Sequence, residues 1–206
     1  MVEPLSSPHL DAVVQLHLRS LTGLLRSLGF GATRAYYRGS IRSDRAVAFV
    51  DLHQGRVGGF VVGSMNPGEL RREILIHNLA ETMIGTLVGF ARNPPSAVRF
   101  LRSVLARGDK GYDTQAAELT YLAVDEEFRG AGIGKRLVEA FGQSIRKKGA
   151  AAYELSVDAD NLRAIGFYKN LGFLDIGEYR EFGSIHKRYR KELGSRDRDV
   201  IPRRNK

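Results

Sequence analysis

The clearest pattern of apolar and polar positions lies between residues 118 and 148. Apolar residues dominate the run from Leu119 to Val124, which predicts a short β-strand, and the acidic residues 125–127 end it. From Ile133 onward, apolar residues recur at helical spacing, at Leu137, Val138, Phe141 and Ile145. The segment is therefore predicted to fold as a strand, a turn and a helix.

A glycine-rich turn opens the predicted helix. It contains Gly130, Gly132 and Gly134, with Arg129 before them and Lys135 and Arg136 after them. Missing β-carbons let an anion approach the backbone, and the free N–H groups of a helix N-terminus favour negative charge. The spacing fits neither the G-x-G-x-x-G dinucleotide motif nor the P-loop, so a phosphate-bearing ligand of another class is indicated, against the alternative of a ligand-free turn.

A second block of the same kind covers residues 153–173. Apolar and polar residues alternate from Tyr153 to Asp158, which predicts a strand. Asp160 or Asn161 can cap the helix that follows, and Gly172 ends it. The apolar face of this helix comprises Ala164, Ile165, Phe167, Tyr168 and Leu171. Taken alone, Tyr168 would be a half-buried helix residue.

Both blocks resemble the GCN5-related N-acetyltransferase (GNAT) family. The first matches its pattern R-x-x-G-x-G from Arg129 to Gly134, and the second matches N-x-x-A-x-x-x-Y-x-x-x-G-F from Asn161 to Phe173. The resemblance implies an α/β fold with a mixed central sheet flanked by helices. It also implies one acyl-CoA N-acyltransferase domain over residues 1–193, with acetyl-CoA as the acyl donor and no metal.

The resemblance also implies roles for individual residues. The turn residues Arg129, Gly130, Ala131, Gly132, Ile133, Gly134 and Lys135 would surround the pyrophosphate of coenzyme A. The backbone of Leu122, Ala123 and Val124 would follow the pantetheine arm, with one N–H polarising the acyl carbonyl. Asn161 would bind the cofactor arm, and Tyr168 would donate a proton to the departing sulfur.

The amine must lose a proton before it attacks, so a base is needed. Glu118, at the start of the central strand, is the first candidate, acting directly or through water, and Glu154 and Asp158 are the others. Enzymes of the ribosomal-protein type resemble the second block but carry a glutamate in the pattern L-E-V, where this chain has Ser156. This difference argues against a ribosomal-protein substrate.

Three functions follow from these motifs. The first is acetylation of a primary amine on a small molecule, and we expect this one. The second is acetylation of a protein N-terminus or lysine. The third is a non-catalytic acyl-CoA-binding module, which the presence of Tyr168, Asn161 and the glycine turn argues against.

The N-terminal part fits the family only in outline. An amphipathic helix is predicted over residues 9–29, broken near Gly23, with a second helical piece from Thr33 to Arg42. Tyr36, Tyr37 and Arg38 could touch substrate, but a solvated, cationic helix face is the preferred interpretation. Residues 46–64 predict a hairpin with His53 as an exposed turn residue.

About forty residues separate this hairpin from the central strand. Residues 66–112 are predicted to form a helical insertion near the acceptor side, as a lid, a homodimer contact or a lipid-surface element. Its apolar run is too interrupted to span a membrane. A last β-hairpin is predicted at residues 174–180 and 184–191, followed by a disordered basic tail over residues 194–206.

Composition bears on the cellular location and on the role of the basic C-terminal residues. The 206 residues contain no cysteine, which excludes disulfides and thiol chemistry, and the N-terminus lacks the pattern of a signal peptide. A cytoplasmic location is therefore expected. The formal net charge is +9, and residues 186–206 hold nine Lys or Arg against three Asp or Glu. This end is interpreted as solubilising rather than as a specific nucleic-acid site.

Overall fold

A seven-stranded sheet organises the part of the chain that the structure, a computed structural model, describes: residues 1–77, 116–181 and 184–194. The strands are β1 Val2–Pro4, β2 Ala46–His53, β3 Arg56–Ser64, β4 Ala117–Val124, β5 Ala152–Asp158, β6 Leu174–Glu181 and β7 Ser184–Glu192. The helices are α1 Leu10–Ser20, α2 Leu24–Arg42, α3 Pro67–His77, α4 Ile133–Lys147 and α5 Leu162–Asn170. Short 3₁₀ turns lie at Ser7–His9 and Glu126–Phe128.

The strand order is β1-β2-β3-β4-β5-β7-β6. Every neighbouring pair is antiparallel except β4 and β5, which run parallel. This parallel pairing covers only two positions, Ala117 with Tyr153 and Glu118 with Glu154. Beyond these positions the two strands part, so a gap opens in the middle of the sheet. The predicted mixed sheet flanked by helices is confirmed.

The sheet separates two apolar cores, because side chains of a strand alternate between its faces. On one face α4 packs its buried Leu137 and Phe141 over the middle strands, together with Tyr168 of α5. On the other face α1 packs Val13 and Val14 against Phe60 of β3. Each core therefore fixes the helices that border one side of the gap.

The predicted hairpins are both present. The turn between β2 and β3 places Gln54 at φ 51° and Gly55 at φ 75°, the conformation that a two-residue hairpin turn requires. His53 ends β2 and lies against the ring of Phe128, with the ring centroids 4.8 Å apart. It is half-buried, so its interpretation as an exposed turn residue is wrong.

The predicted helices of the N-terminal half differ in their bounds. The break near Gly23 is confirmed, but α2 begins at Leu24 and runs to Arg42, with non-helical geometry at Gly29 (φ 84°, ψ −170°). Of the predicted insertion over residues 66–112, α3 is helical as expected, and the remainder lies outside the described residues. Most of the predicted tail, residues 195–206, lies outside them as well.

Candidate functional site

Helix α4 begins at the glycine turn, and its N-terminus has no side-chain cap. Gly132 is the N-cap of α4 and adopts the left-handed conformation at φ 75°, which a residue with a β-carbon adopts only at a cost. No side chain accepts a hydrogen bond from the first turn of α4 in the described chain. Its N–H groups, with the dipole of a fifteen-residue helix behind them, can therefore bind an anion.

The three basic residues of the turn have different roles. Arg129 and Lys135 are exposed, and they contact Glu126 at 2.7 Å and Glu139 at 3.9 Å. Arg136 instead donates to buried Asp51 at 2.7 Å and to the carbonyl of Ala131 at 2.9 Å. It therefore braces the turn against β2, while the exposed cations can face a ligand.

Gly134 brings the two motifs together. A β-carbon at this position would lie 3.1 Å from Cζ of Phe167 and 3.5 Å from Cγ2 of Val124. The first turn of α4 thus touches both the end of β4 and helix α5. The structure thereby brings Gly134 and Val124, two of the predicted cofactor residues, together beside the helix of the second block.

The gap between β4 and β5 exposes one backbone edge of β4. Asp125 donates its N–H to Gly58 of β3, at 2.9 Å. Because backbone N–H groups alternate between the two edges of a strand, those of Val124 and Leu122 face the gap, and that of Ala123 faces β3. Thr120 is an extra residue in β4 opposite β3, a bulge at the level where the strands part.

Helix α5 positions Asn161 and Tyr168. Asn161 is the N-cap, and its Oδ1 accepts the N–H of Ala164 at 3.0 Å, which leaves its amide N–H₂ for another acceptor. Tyr168 is buried among Phe167 and Phe173, with ring centroids 5.1 and 5.3 Å away. Burial raises the pKa of Tyr168, so its hydroxyl stays protonated and can act as a donor.

Glu118 lies on the other face of the sheet, toward α2. It is half-buried at the root of the gap, beside Tyr36. Burial and neighbouring Tyr121 raise the pKa of Tyr36, Arg71 of α3 lowers it, and the charge of Glu118 raises it further. Glu118 is thus the charged member of a partly buried aromatic group on the face opposite the glycine turn.

The two other candidate bases share this face. Leu155 and Val157 pack into the core beside α4, so Glu154 and Asp158, at the intervening positions of β5, face the α1–α2 side. Glu154 is buried and accepts hydrogen bonds from Arg188 and Arg190 of β7, so its carboxylate is already engaged by two guanidinium groups. Ser156 is exposed between them.

The loop between α1 and α2 crosses the open end of the gap. Arg19 contacts Asp125, directly after β4, at 2.8 Å, and Thr22 donates to Asp158, at the end of β5, at 3.3 Å. The β4 side of the gap is therefore tied to the last turn of α1, and the β5 side to the α1–α2 loop, on the face that carries Glu118.

Two histidines on this face, His17 and His186, are not among the predicted site residues. Tyr37 is fully buried, and its hydroxyl lies 2.7 Å from Nδ1 of buried His17, so the solvated-face interpretation of this helix is wrong. His186 pairs with Asp158 at 3.0 Å. An apolar environment for His17 could be inferred from its helical spacing with Val13 and Val14, but the partners of both histidines depend on tertiary contacts.

The described chain contains no helix long and apolar enough to cross a lipid bilayer.

Comparison with known proteins yields one family and several relatives. The family model described as "Acetyltransferase (GNAT) family" matches residues 10–173. The N-alpha-acetyltransferase 30 of Schizosaccharomyces pombe is 33% identical over 76 residues, which cover 36% of this chain and 51% of that protein. The ribosomal protein bS18-alanine N-acetyltransferase of Escherichia coli is 39% identical over 57 residues, covering 28% and 38%. The chain thus spans about half or less of these curated relatives.

Solved structures share the fold over nearly the whole chain. A crystal structure of an acetyltransferase matches with a TM-score of 0.63 at 24% identity, over 94% of this chain and 100% of that one. The ribosomal-protein-S18-alanine N-acetyltransferase of Escherichia coli matches with a TM-score of 0.59 at 15% identity, over 97% of each chain. At these identities the likeness concerns the fold. Together with the family model, which covers most of the sequence, these matches confirm the resemblance seen in the two motifs, and the chain belongs to the acetyltransferase (GNAT) family of enzymes.

Proposed function

We propose that this protein transfers an acetyl group from acetyl-CoA to the primary amine of a small molecule by direct attack. The observation that carries this proposal is the gap between β4 and β5, which has a helix N-terminus at one face and Glu118 at the other. Two ligands can therefore approach one point from opposite faces of the sheet.

The residues present fit coenzyme A. A pyrophosphate needs converging N–H donors and positive charge, which the turn from Gly130 to Gly134, Lys135 and Arg129 supply. An extended arm carrying amide groups needs a free strand edge, which Leu122 and Val124 supply. Asn161 offers its amide N–H₂ at the start of α5.

Three groups then serve the reaction. When bound, acetyl-CoA supplies an acetyl thioester, whose carbonyl carbon is open to an amine and whose thiol is the leaving group. The N–H of Leu122, held in place by the strand, would stabilise charge on the carbonyl oxygen. Tyr168, kept protonated by burial, would donate to the leaving sulfur, and Glu118 would remove a proton from the amine, directly or through water.

The contacts at the end of the gap support the choice of acceptor class. Arg19, in the last turn of α1, and Thr22, in the α1–α2 loop, hold this segment across the end of the gap, where an extended peptide would need an open groove. This supports a small amine. The alternative is a protein N-terminus, since one relative is named for acetylation of a ribosomal protein and another is named an N-alpha-acetyltransferase. Ser156, in place of the glutamate of the ribosomal type, supports the small amine further.

The test combines binding with turnover. Thermal unfolding is followed with and without acetyl-CoA, and thiol release is followed with a panel of small amines and of peptides. A ligand present at about a hundred times its dissociation constant adds about 2.7 kcal/mol to stability. A shift that Gly132→Val removes, with thiol release for a small amine, is the expected result. Release with peptides alone would establish the alternative, and absence of any shift would refute the cofactor site.

A further inference from the structure

A row of three side chains crosses the last strands of the sheet on the acceptor face. Asp158 of β5 is in register with His186 of β7, and His186 is in register with Tyr179 of β6. Oδ1 of Asp158 lies 3.0 Å from Nδ1 of His186, and the rings of His186 and Tyr179 stack with centroids 5.3 Å apart. The row fixes the imidazole on two sides.

This row faces the acceptor side of the gap. Tyr189 of β7 is buried in the core beside α4, so His186, three positions away on a regular strand, lies on the opposite face. The hydrogen bond from Thr22 to Oδ2 of Asp158, at 3.3 Å, gives the same result independently. The row therefore stands on the β5 side of the gap, across from Leu122 and Val124.

The contact with Asp158 determines which nitrogen of His186 is free. A carboxylate offers no proton, so a neutral imidazole in this position carries its proton on Nδ1, and Nε2 is the nitrogen left to accept one. Within the described chain Nε2 makes no hydrogen bond, and the side chain is 21% exposed. The charged and titratable groups in contact with His186 or on the same face include Asp158 on β5, Tyr179 on β6 and, two positions along its own strand, Arg188.

The proposed reaction must release one proton to solvent. An ammonium group and a thioester give an amide, a thiol and one proton: the nitrogen loses two protons and the sulfur gains one. Resting on the proposed function, we propose that His186 takes the first of these protons from the acceptor ammonium at Nε2 and passes it to solvent, with Asp158 as the residue that positions the ring. The N–H bond of the ammonium breaks and an N–H bond at Nε2 forms. The second proton is left to Glu118.

The test is the pH dependence of His186→Ala, assayed by thiol release with the best amine of the panel. At pH 7, where the amine is protonated, kcat/KM should fall by about a hundredfold, within the usual range for proton transfer by a side chain. Above the pKa of the amine the variant should come within about threefold of the wild type, because the first proton is already gone. Added imidazole should restore activity at pH 7.

Two further variants separate this role from a structural one. His186→Gln keeps a donor toward Asp158 but has no basic nitrogen, so it should show the same loss at pH 7 with unchanged thermal stability. His9→Ala removes a histidine whose Nε2 lies 3.1 Å from Glu3, on the opposite edge of the sheet, and should leave kcat/KM unchanged.

The outcomes are distinct. A wild-type enzyme that releases thiol with an amine, beside a His186→Ala variant of equal kcat/KM at pH 7, overturns this inference and leaves the proposed function standing. A loss that is the same at every pH and that imidazole does not restore also overturns it. A wild-type enzyme that releases no thiol with any acceptor overturns both.

Discussion

Removing the hydroxyl of Tyr168 should lower the rate of acetyl transfer while leaving the stability of the fold almost unchanged. In the described chain this hydroxyl has no hydrogen bond, and the ring contacts to Phe167 and Phe173 involve carbon atoms that a phenylalanine keeps. Tyr168→Phe should therefore change the free energy of unfolding by less than about 0.5 kcal/mol. The reaction loses a proton donor, which usually costs 10²–10⁴-fold in rate. Because a thiolate leaves readily, we expect a decrease at the low end of this range, about a hundredfold in kcat, which corresponds to an activation free energy higher by about 2.7 kcal/mol.

The assay is steady-state thiol release, with urea unfolding of the same samples. Tyr153→Phe is the matched control, because Tyr153 is buried in the same core and its hydroxyl has no hydrogen-bond partner in the described chain. It should keep full kcat and lose no stability. Acetyl-CoA affinity should be unchanged in both variants. A Tyr168→Phe enzyme with kcat within twofold of the wild type would refute the donor role.

Three further predictions concern the turn, the base and the second core. Gly134→Val should destabilise the protein by about 1–3 kcal/mol and lower acetyl-CoA affinity at least tenfold by displacing Phe167. Gly166→Ala, with no neighbour within 4 Å, should do neither; urea unfolding measures the stability and calorimetric titration the affinity. Glu118→Gln should lower kcat/KM about a hundredfold with acetyl-CoA affinity intact, and unchanged turnover would exclude it as the base. Burial, with a contribution from the charge of a nearby arginine, lowers the pKa of His17 from 6.5 to about 4. Between these two pH values the histidine is protonated in the unfolded chain and neutral in the folded chain. Stability should fall by about 3 kcal/mol between pH 6.5 and pH 4, and urea unfolding of His17→Gln should show a smaller decrease.

The sequence predicts the strands and helices of the two motif blocks well because their signals are local. Glycines at fixed spacing, an apolar run before them and helical periodicity after them define β4, the turn and α4 within about thirty residues. The same holds for β5, the Asn161 cap and α5. That Arg136 turns back to Asp51, rather than toward a ligand, depends on a residue in β2, and no local pattern contains that information.

The face that carries Glu118 is harder to predict because its residues are brought together by pairing between distant strands. Tyr37 looks like a member of a polar helix face until His17, twenty residues earlier, is placed beside it. The row containing His186 exists only because β7 inserts between β5 and β6, in one particular register. Neither the insertion of a later strand nor its register can be read from alternation alone.

Because β4 and β5 part, the backbone amides on the two edges of β4 should differ in their rates of hydrogen exchange. Amides that point toward β3, such as those of Ala123 and Asp125, are held in a continuous antiparallel ladder and should exchange only on larger opening. Those of Leu122 and Val124 open onto the gap, so within one strand slow and fast amides should alternate residue by residue. Slowing of the fast set alone would then report occupancy of the gap directly, without any catalytic turnover.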